Sequence, residues 1–260
     1  MEKIIVGNWK MYPTLSDAII LASGIKKHLE ELQGVQVVIA PPTPWLVPVK
    51  ETLHRSGKHL HLSSQNAWSE DQGAFTGETS AYLLKDIVKF AIIGHSERRS
   101  INKEDNVLIS KKIKACLRWQ IRPIVCVGEL KKAQNSDGTL DQYEWSRLSN
   151  QVMDALEGVN KDLLEQIIIA YEPVWAIGTS NAATGEYAYK IIERLRERIA
   201  KKYTGMVASS INFLYGGSVN AQNSSEFLRY PQINGLLVGN ASVNIKEFIE
   251  ICRQASLLRV

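Results

Sequence analysis

The run IIIAYEPVWAIGTS, residues 167–180, carries strand-like β-branched residues that stop at one charged group, Glu172, followed at once by Pro173-Val174-Trp175. A carboxylate among Tyr171, Val174 and Trp175 is costly unless it is paired, solvated or put to chemical use. Other short apolar runs end in a similar way. Asn8 and Lys10 stand in GNWKM (7–11), His95 and Glu97 in IIGHSERR (92–99), and the glycine-bearing stretches YGGSV (215–219) and LVGNAS (237–242) close two later runs. Carboxylate, imidazole and ammonium are groups that move or stabilise protons, and glycines let backbone N–H groups approach an anion unobstructed. Taken alone, a histidine or glutamate at a strand end reads as a satisfied structural residue. The recurrence of such groups after strand after strand points to a site.

Bringing these segments together needs a frame that delivers every strand end to one face. Short apolar runs alternate along the chain with longer segments of helical period. Strands are expected at 4–7, 35–40, 59–63, 90–93, 123–127, 167–170, 210–214 and 235–238. Helices are expected at 15–32, 106–119, 143–156, 186–203 and 245–254, with shorter ones near 45–56, 81–86 and 225–228. Nearly continuous apolar strands alternating with helices make a parallel sheet covered by helices. Eight such units in 260 residues suit an α/β fold of the closed (β/α)8 type, one domain spanning 1–260, whose loops after the strands share one face. An open doubly wound sheet is the alternative, but no GxGxxG follows the first strand. The stretch KKAQNSDGTLDQ, 131–142, reads as a polar surface loop.

Composition excludes several classes. A net charge of +4, from 31 basic and 27 acidic residues, favours small anions but is too slight and too scattered for a nucleic-acid surface. The N-terminus enters KIIVGNW almost immediately, without an apolar signal region. No run approaches the roughly 18 apolar residues of a membrane span, so neither membrane insertion nor secretion is expected and the cytoplasm is the expected location. Cys116, Cys126 and Cys252 are odd in number and lack metal-ligand spacing, which suits reduced thiols. His59 and His61 share a strand face, yet no cysteine or acidic cluster accompanies them and a metal site is not expected.

Taken in order, the chain's segments resemble those of the triosephosphate isomerase family. They are GNWKM, APPTPWL (40–46), SQNAW (64–68), GAFTGE (73–78), IIGHSERR, PIVCVGE (123–129), AYEPVWAIGT (170–179), LYGGSV (214–219) and GLLVGNAS (235–242), and they run from end to end. The resemblance implies a TIM barrel that interconverts dihydroxyacetone phosphate and glyceraldehyde 3-phosphate without cofactor or metal. Such an isomerisation moves a proton between adjacent carbons through an enediol or enediolate, and one base can perform both transfers. By resemblance Glu172 is that base and His95 a neutral imidazole donating to the carbonyl oxygen, roles for which this family is itself the standard illustration. Lys10 supplies a fixed positive charge and Asn8 a hydrogen bond on the carbonyl side. Glu97 stands beside Lys10 as a positioning group or proton relay, or as a plain ion pair. Arg98 and Arg99 are expected to brace loops, and Cys126 to pack near Glu97 without nucleophilic chemistry.

The phosphate is expected on backbone amides around Ser218, Gly239 and Asn240, with Gly178 as a further donor. Residues 173–183 resemble a closing lid that excludes water, because a phosphorylated enediolate left open can eliminate phosphate. Glu129 and Trp175 stand where a hydrogen bond can hold that lid open. GAFTGE resembles a loop that enters a neighbouring subunit, placing Thr76 beside its Asn8 and His95 in a homodimer. The chain departs from the family pattern at Tyr12, Ser180, Asn181 and Asn240; asparagine tolerates positive φ, which would let Asn240 replace a glycine. Two alternatives remain: an isomerase of a four-carbon ketose phosphate such as erythrulose phosphate, and a catalytically silent binding protein.

Overall fold

The computed structural model describes residues 2–258 apart from 30, 31, 55, 136 and 177–182. Eight strands close into a barrel in chain order, every neighbouring pair parallel. They are β1 (Lys3–Asn8), β2 (Val35–Ala40), β3 (Leu60–Ser64), β4 (Phe90–Ile93), β5 (Arg122–Val127), β6 (Ile168–Tyr171), β7 (Asn212–Tyr215) and β8 (Gly235–Val238). Helices fill the connections: α1 (Leu15–Leu29), α2 (Leu46–Thr52), α3 (Ala81–Leu84), α4 (Ser96–Ile101), α5 (Asn106–Arg118), α6 (Gln142–Leu156), α7 (Gly185–Lys202), α8 (Gly205–Ser210), α9 (Ser224–Leu228) and α10 (Ile245–Leu257).

The strand alternation sorts the apolar side chains into two layers. Ile4, Val6, Val38, Phe90, Ile92, Ile124, Cys126, Ile168 and Leu214 belong to one buried cluster. Their chain neighbours, such as Ile5, Val37, Ile39, Ile93, Val125 and Ile169, join the larger cluster that includes the helices. Both faces of the sheet are therefore dry, and polar groups concentrate where the strands end.

All eight expected strands are present, within two residues at each end. Two short helices depart from the expectation. Residues 205–210 form α8, opened by the Thr204 hydroxyl accepting from the Val207 N–H, so β7 starts at Asn212 rather than at Ser210. The period-based reading also has no helix at α4, which buries none of its residues and so shows no apolar stripe. α1 is described as far as Leu29, the expected 30 and 31 lying outside the described residues; α2 ends at Thr52, short of the expected 56, while α10 continues past 254 to Leu257. Among the described residues no helix is long and apolar enough to cross a membrane.

Candidate active site

Sheet register decides where Glu172 sits. Val127, Tyr171 and Tyr215 are level across β5, β6 and β7, so the next residues, Gly128, Glu172 and Gly216, meet at the C-terminal rim. Backbone bonds continue the ladder there, with the Glu172 N–H donating to Val127 O at 2.7 Å and the Gly216 N–H to Tyr171 O at 2.8 Å. Both glycines are required by close approach: a Cβ on Gly128 would lie 1.8 Å from Glu172 O, and one on Gly216 would lie 2.9 Å from Glu172 Cγ. Gln151 on α6 grips Gly128 at both ends, donating to its carbonyl at 2.9 Å and accepting from its N–H at 3.0 Å. Glu172 is 1% exposed, and among the described residues no lysine or arginine forms an ion pair with it, although the Arg99 guanidinium feels its charge. Its Oε2 accepts from the Ser96 N–H at 3.1 Å, while Oε1 accepts no hydrogen bond among the described residues.

His95 opens α4 as its N-cap. Its Nδ1 accepts from the Glu97 N–H at 3.3 Å, which leaves the ring proton on Nε2 and the imidazole neutral. The Glu97 carboxylate, 3.5 Å from Nδ1, would favour the opposite tautomer, but its side chain is 49% exposed and its other oxygen is engaged by Lys10. The backbone N–H, which can only donate, therefore decides the assignment. His95 Nε2 lies 3.2 Å from Glu172 Oε1 without forming a hydrogen bond to it. A donor and an open carboxylate oxygen thus face one small region.

Asn8, 5% exposed at the end of β1, accepts through Oδ1 from the Lys10 N–H at 3.1 Å. Lys10 holds φ at 49°, in the left-handed region, and its Nζ is 2.6 Å from Glu97 Oε1. Gln65 donates to the carbonyls of Lys10 and Ala40 at 2.8 and 2.9 Å, fixing this turn. Arg98 pairs with Glu104 at 2.6 Å, and Arg99 donates to the Gly94 and Cys126 carbonyls, so both arginines brace loops as expected. Burial first, and then the Glu172 charge, push the Cys126 thiol well above its ordinary range. Glu172 acts on it more strongly than Glu97, which also bears on it.

A second buried carboxylate, Glu129, anchors the start of the segment after β6. Its Oε1 accepts from the Tyr171 hydroxyl at 2.7 Å, the Trp175 indole at 3.0 Å and the Tyr187 hydroxyl at 2.7 Å. Burial raises this carboxyl, against the pull of those three donors. Ser218 donates to Ala176 O at 2.8 Å, tying the loop after β7 to the same segment. Ser96, Gln65, Tyr171, Tyr187 and Gln151 all shape the site though the sequence does not mark them as site residues; Ser96, Gln65 and Tyr171 lie inside the motifs above, while Gln151 on α6 and Tyr187 on α7 carry no local signal.

Gly239 follows β8, and a Cβ built on it would lie 3.7 Å from Lys10 Cε, so the loop after the last strand closes on the same ammonium. Asn240 begins a single 3₁₀ turn, Asn240–Val243, and is exposed. It is not among the residues with positive φ, so tolerance of that conformation is not why asparagine stands there. Gly178, Ser180 and Asn181 lie outside the described residues. Thr76 belongs to an exposed loop, 72–78, whose Gly77 and Glu78 line the cavity beside this chain's own Asn8 and His95 while Thr76 itself does not. Beside Asn8, Lys10, His95 and Glu97 opens a cavity of about 650 Å³. A larger cavity of about 1260 Å³ lies near Leu60, Lys89 and Gln120, at the opposite end of the barrel, and gathers none of these polar groups. Among the described residues no group of three or more histidine, cysteine or carboxylate side chains could hold a metal ion.

Residues 3–255 match the model of the family described as triosephosphate isomerase. The chain is similar to the triosephosphate isomerase of Dehalococcoides mccartyi strain 195, 44% identical with 98% of each chain covered. It is also similar to that of Carboxydothermus hydrogenoformans, 41% identical over 97% of this chain and 98% of the relative. The Dictyoglomus thermophilum enzyme of the same name is 41% identical, with 97% and 99% covered.

Proposed function

We infer, for a chain that belongs to the triosephosphate isomerase family, a reaction carried by Glu172, His95, Lys10 and Asn8. The protein is an isomerase that interconverts dihydroxyacetone phosphate and D-glyceraldehyde 3-phosphate, a step of glycolysis and gluconeogenesis. The relatives reported above give no support to the four-carbon ketose phosphate reading. One observation carries the assignment of roles: a buried carboxylate with an open Oε1 stands 3.2 Å from the Nε2 of an imidazole whose tautomer makes it a donor there.

Glu172 takes the carbon-bound proton next to the carbonyl through Oε1 and returns it to the neighbouring carbon. The electron pair of the broken C–H bond forms the enediolate C=C bond while the carbonyl π pair moves onto its oxygen, which the His95 Nε2–H meets and then protonates; the neighbouring hydroxyl returns a proton to His95 as its own carbonyl forms. The Lys10 ammonium, which lines one cavity with Asn8 and His95, is drawn to the same oxygen and to the phosphate, and Asn8 holds the turn that presents it. Oxidation state is unchanged overall, so the chemistry calls for no redox cofactor, and proton transfer to a positioned base needs no metal. The phosphate rests on N–H groups around Ser218, Gly239 and Asn240, with Gly178 joining them when residues 173–183 close. Glu129 holds Trp175 in the open arrangement.

Residues 1–260 act as one cytoplasmic isomerase domain that works as a homodimer. Met11, Phe75 and Ile101 are 94%, 40% and 76% exposed, an unusual display of apolar surface. A partner's 73–78 loop entering the 650 Å³ cavity would cover such surface and set the partner subunit's Thr76 beside Asn8 and His95. Sedimentation combined with activity at high dilution tests this: a fully active monomer would overturn it. For the chemistry, turnover in D₂O should place deuterium on the product carbon, and Glu172→Gln should abolish isomerisation and exchange together. Exchange that persists in a folded Gln variant would remove Glu172 from the mechanism.

A further inference from the structure

On the outer surface, α6 and α7 leave a groove of about 470 Å³. Small-molecule sites span roughly 300–1,000 Å³. From α7 the groove receives Arg194, Glu197, Arg198 and Lys201, the i, i+3, i+4, i+7 pattern of one helix face. From α6 it receives Trp145, with Gln142, Ser146 and Asn150 around it.

Two features set this groove apart from an ordinary solvated helix face. Every other described arginine has a partner: Arg98, Arg118, Arg147 and Arg253 hold carboxylates, and Arg99, Arg122, Arg196 and Arg229 hold carbonyls or rings. Arg194 and Arg198 alone among the described arginines have none, and both line the same groove. Like charges four residues apart on a helix repel, and Glu197, the one acid in the groove, makes no ion pair with them. The second feature is Trp145, half-buried against the core and therefore held in place as a ring wall.

Arginine forks bind phosphate oxygens bidentately. Arg194 to Lys201 covers about 10 Å at 1.5 Å per residue, a span over which a short phosphate chain can meet all three cations. Indole rings stack on bases whatever their identity, and Gln142, Ser146 and Asn150 offer neutral donors and acceptors for a sugar or base edge. We propose that the α6–α7 groove is a second binding site, separate from the isomerase site, for a nucleoside di- or triphosphate: its phosphates lie along Arg194, Arg198 and Lys201 and its base lies against Trp145.

The test is calorimetric titration of the native enzyme with ADP, the isomerase site being filled throughout with 2-phosphoglycolate so that phosphate binding there is silent. One ADP should bind per chain, more tightly than pyrophosphate or adenosine. Arg194→Gln combined with Arg198→Gln should weaken ADP at least tenfold and leave turnover unchanged. Trp145→Leu should reduce ADP to the affinity of pyrophosphate. Should that buried substitution unfold the chain, Ser146→Glu, at an exposed position, should remove binding by charge and bulk. No heat with millimolar ADP, an unchanged affinity in the double arginine variant, or pyrophosphate binding as tightly as ADP would each overturn the assignment.

Discussion

Glu104 and Glu172 are both buried carboxylates within reach of α4, and the protein treats their charges in opposite ways. Glu104 is 5% exposed, and its Oε1 receives Arg98 from α4 and Lys112 from α5, each at 2.6 Å. Lys112 is itself fully buried, bonds Asn66 at 2.9 Å and sits over the Trp68 ring. Glu172, 1% exposed, receives one backbone N–H and, among the described residues, no direct ion pair from a lysine or arginine. The first carboxylate is neutralised and so ties α4, α5 and the loop after β3 together. Each leaves one oxygen without a hydrogen bond among the described residues, Oε2 of Glu104 and Oε1 of Glu172. Only the Glu172 oxygen has the His95 Nε2 3.2 Å away, and no described lysine or arginine pairs with its carboxylate, so its charge serves reactivity instead of cohesion. Burial alone does not mark a reactive group; the absence of a direct ion pair does, the nearby Arg99 being spent on the Gly94 and Cys126 carbonyls.

The largest test of this contrast lies at Glu104. Glu104→Gln keeps the shape and strands Lys112 without its anion, so stability to urea should fall by ~3–5 kcal/mol, the usual result of breaking a buried pair. Adding Lys112→Met should restore much of it, since an apolar pair of similar size is commonly tolerated. Turnover per folded molecule should stay within a few-fold. A Glu104→Gln protein as stable as the parent would dissolve the distinction.

Glu172→Gln should show the converse, with urea stability held or slightly raised and turnover down at least ~10²-fold, about 2.7 kcal/mol of barrier. Glu172→Asp should also lose about 10²-fold through a retreat of ~1 Å. Loss of stability in step with activity would place Glu172 in the same class as Glu104.

Glu129 stands between the two, satisfied at Oε1 by neutral donors and open at Oε2. Its carboxyl is raised above the ordinary 4.5, chiefly by burial. A raised folded-state value means that the folded enzyme holds this proton more tightly than the unfolded chain. The resulting stabilisation is present below pH 4.5 and is lost as pH rises through the folded value. Glu129→Gln cannot ionise, so urea stabilities of the two proteins should shift in the variant's favour between pH 4.5 and neutrality. A constant difference would mean that Glu129 titrates normally. The smallest effect is expected at Asn240, exposed and without positive φ: Asn240→Gly should change kcat/KM by less than about threefold, the scale of a surface change.

The sequence made the barrel legible because apolar β-branched runs recur eight times between helical stretches, and it exposed Glu172, His95, Lys10 and Asn8 because each directly follows such a run. It concealed Glu104 and Lys112. KKIKACLR reads as a charged helix face, and nothing local says that the second of its adjacent lysines is fully buried while the first is exposed. α4 was hidden for a related reason: it packs through its cap and its arginines, leaving no periodic apolar signal. The Ser96 N–H that holds Glu172 belongs to the backbone, and no side-chain pattern can announce it.

Lys10 closes its turn at φ 49°. A residue with a β carbon pays ~1–3 kcal/mol to stay in that region, and glycine enters it freely. A library of this chain screened only for survival on heating would therefore drift to glycine at position 10, and its hardiest members would lack the ammonium that faces the substrate. At this position heat resistance and turnover select different residues, and an engineer who wants both must hold position 10 fixed and look for stability elsewhere.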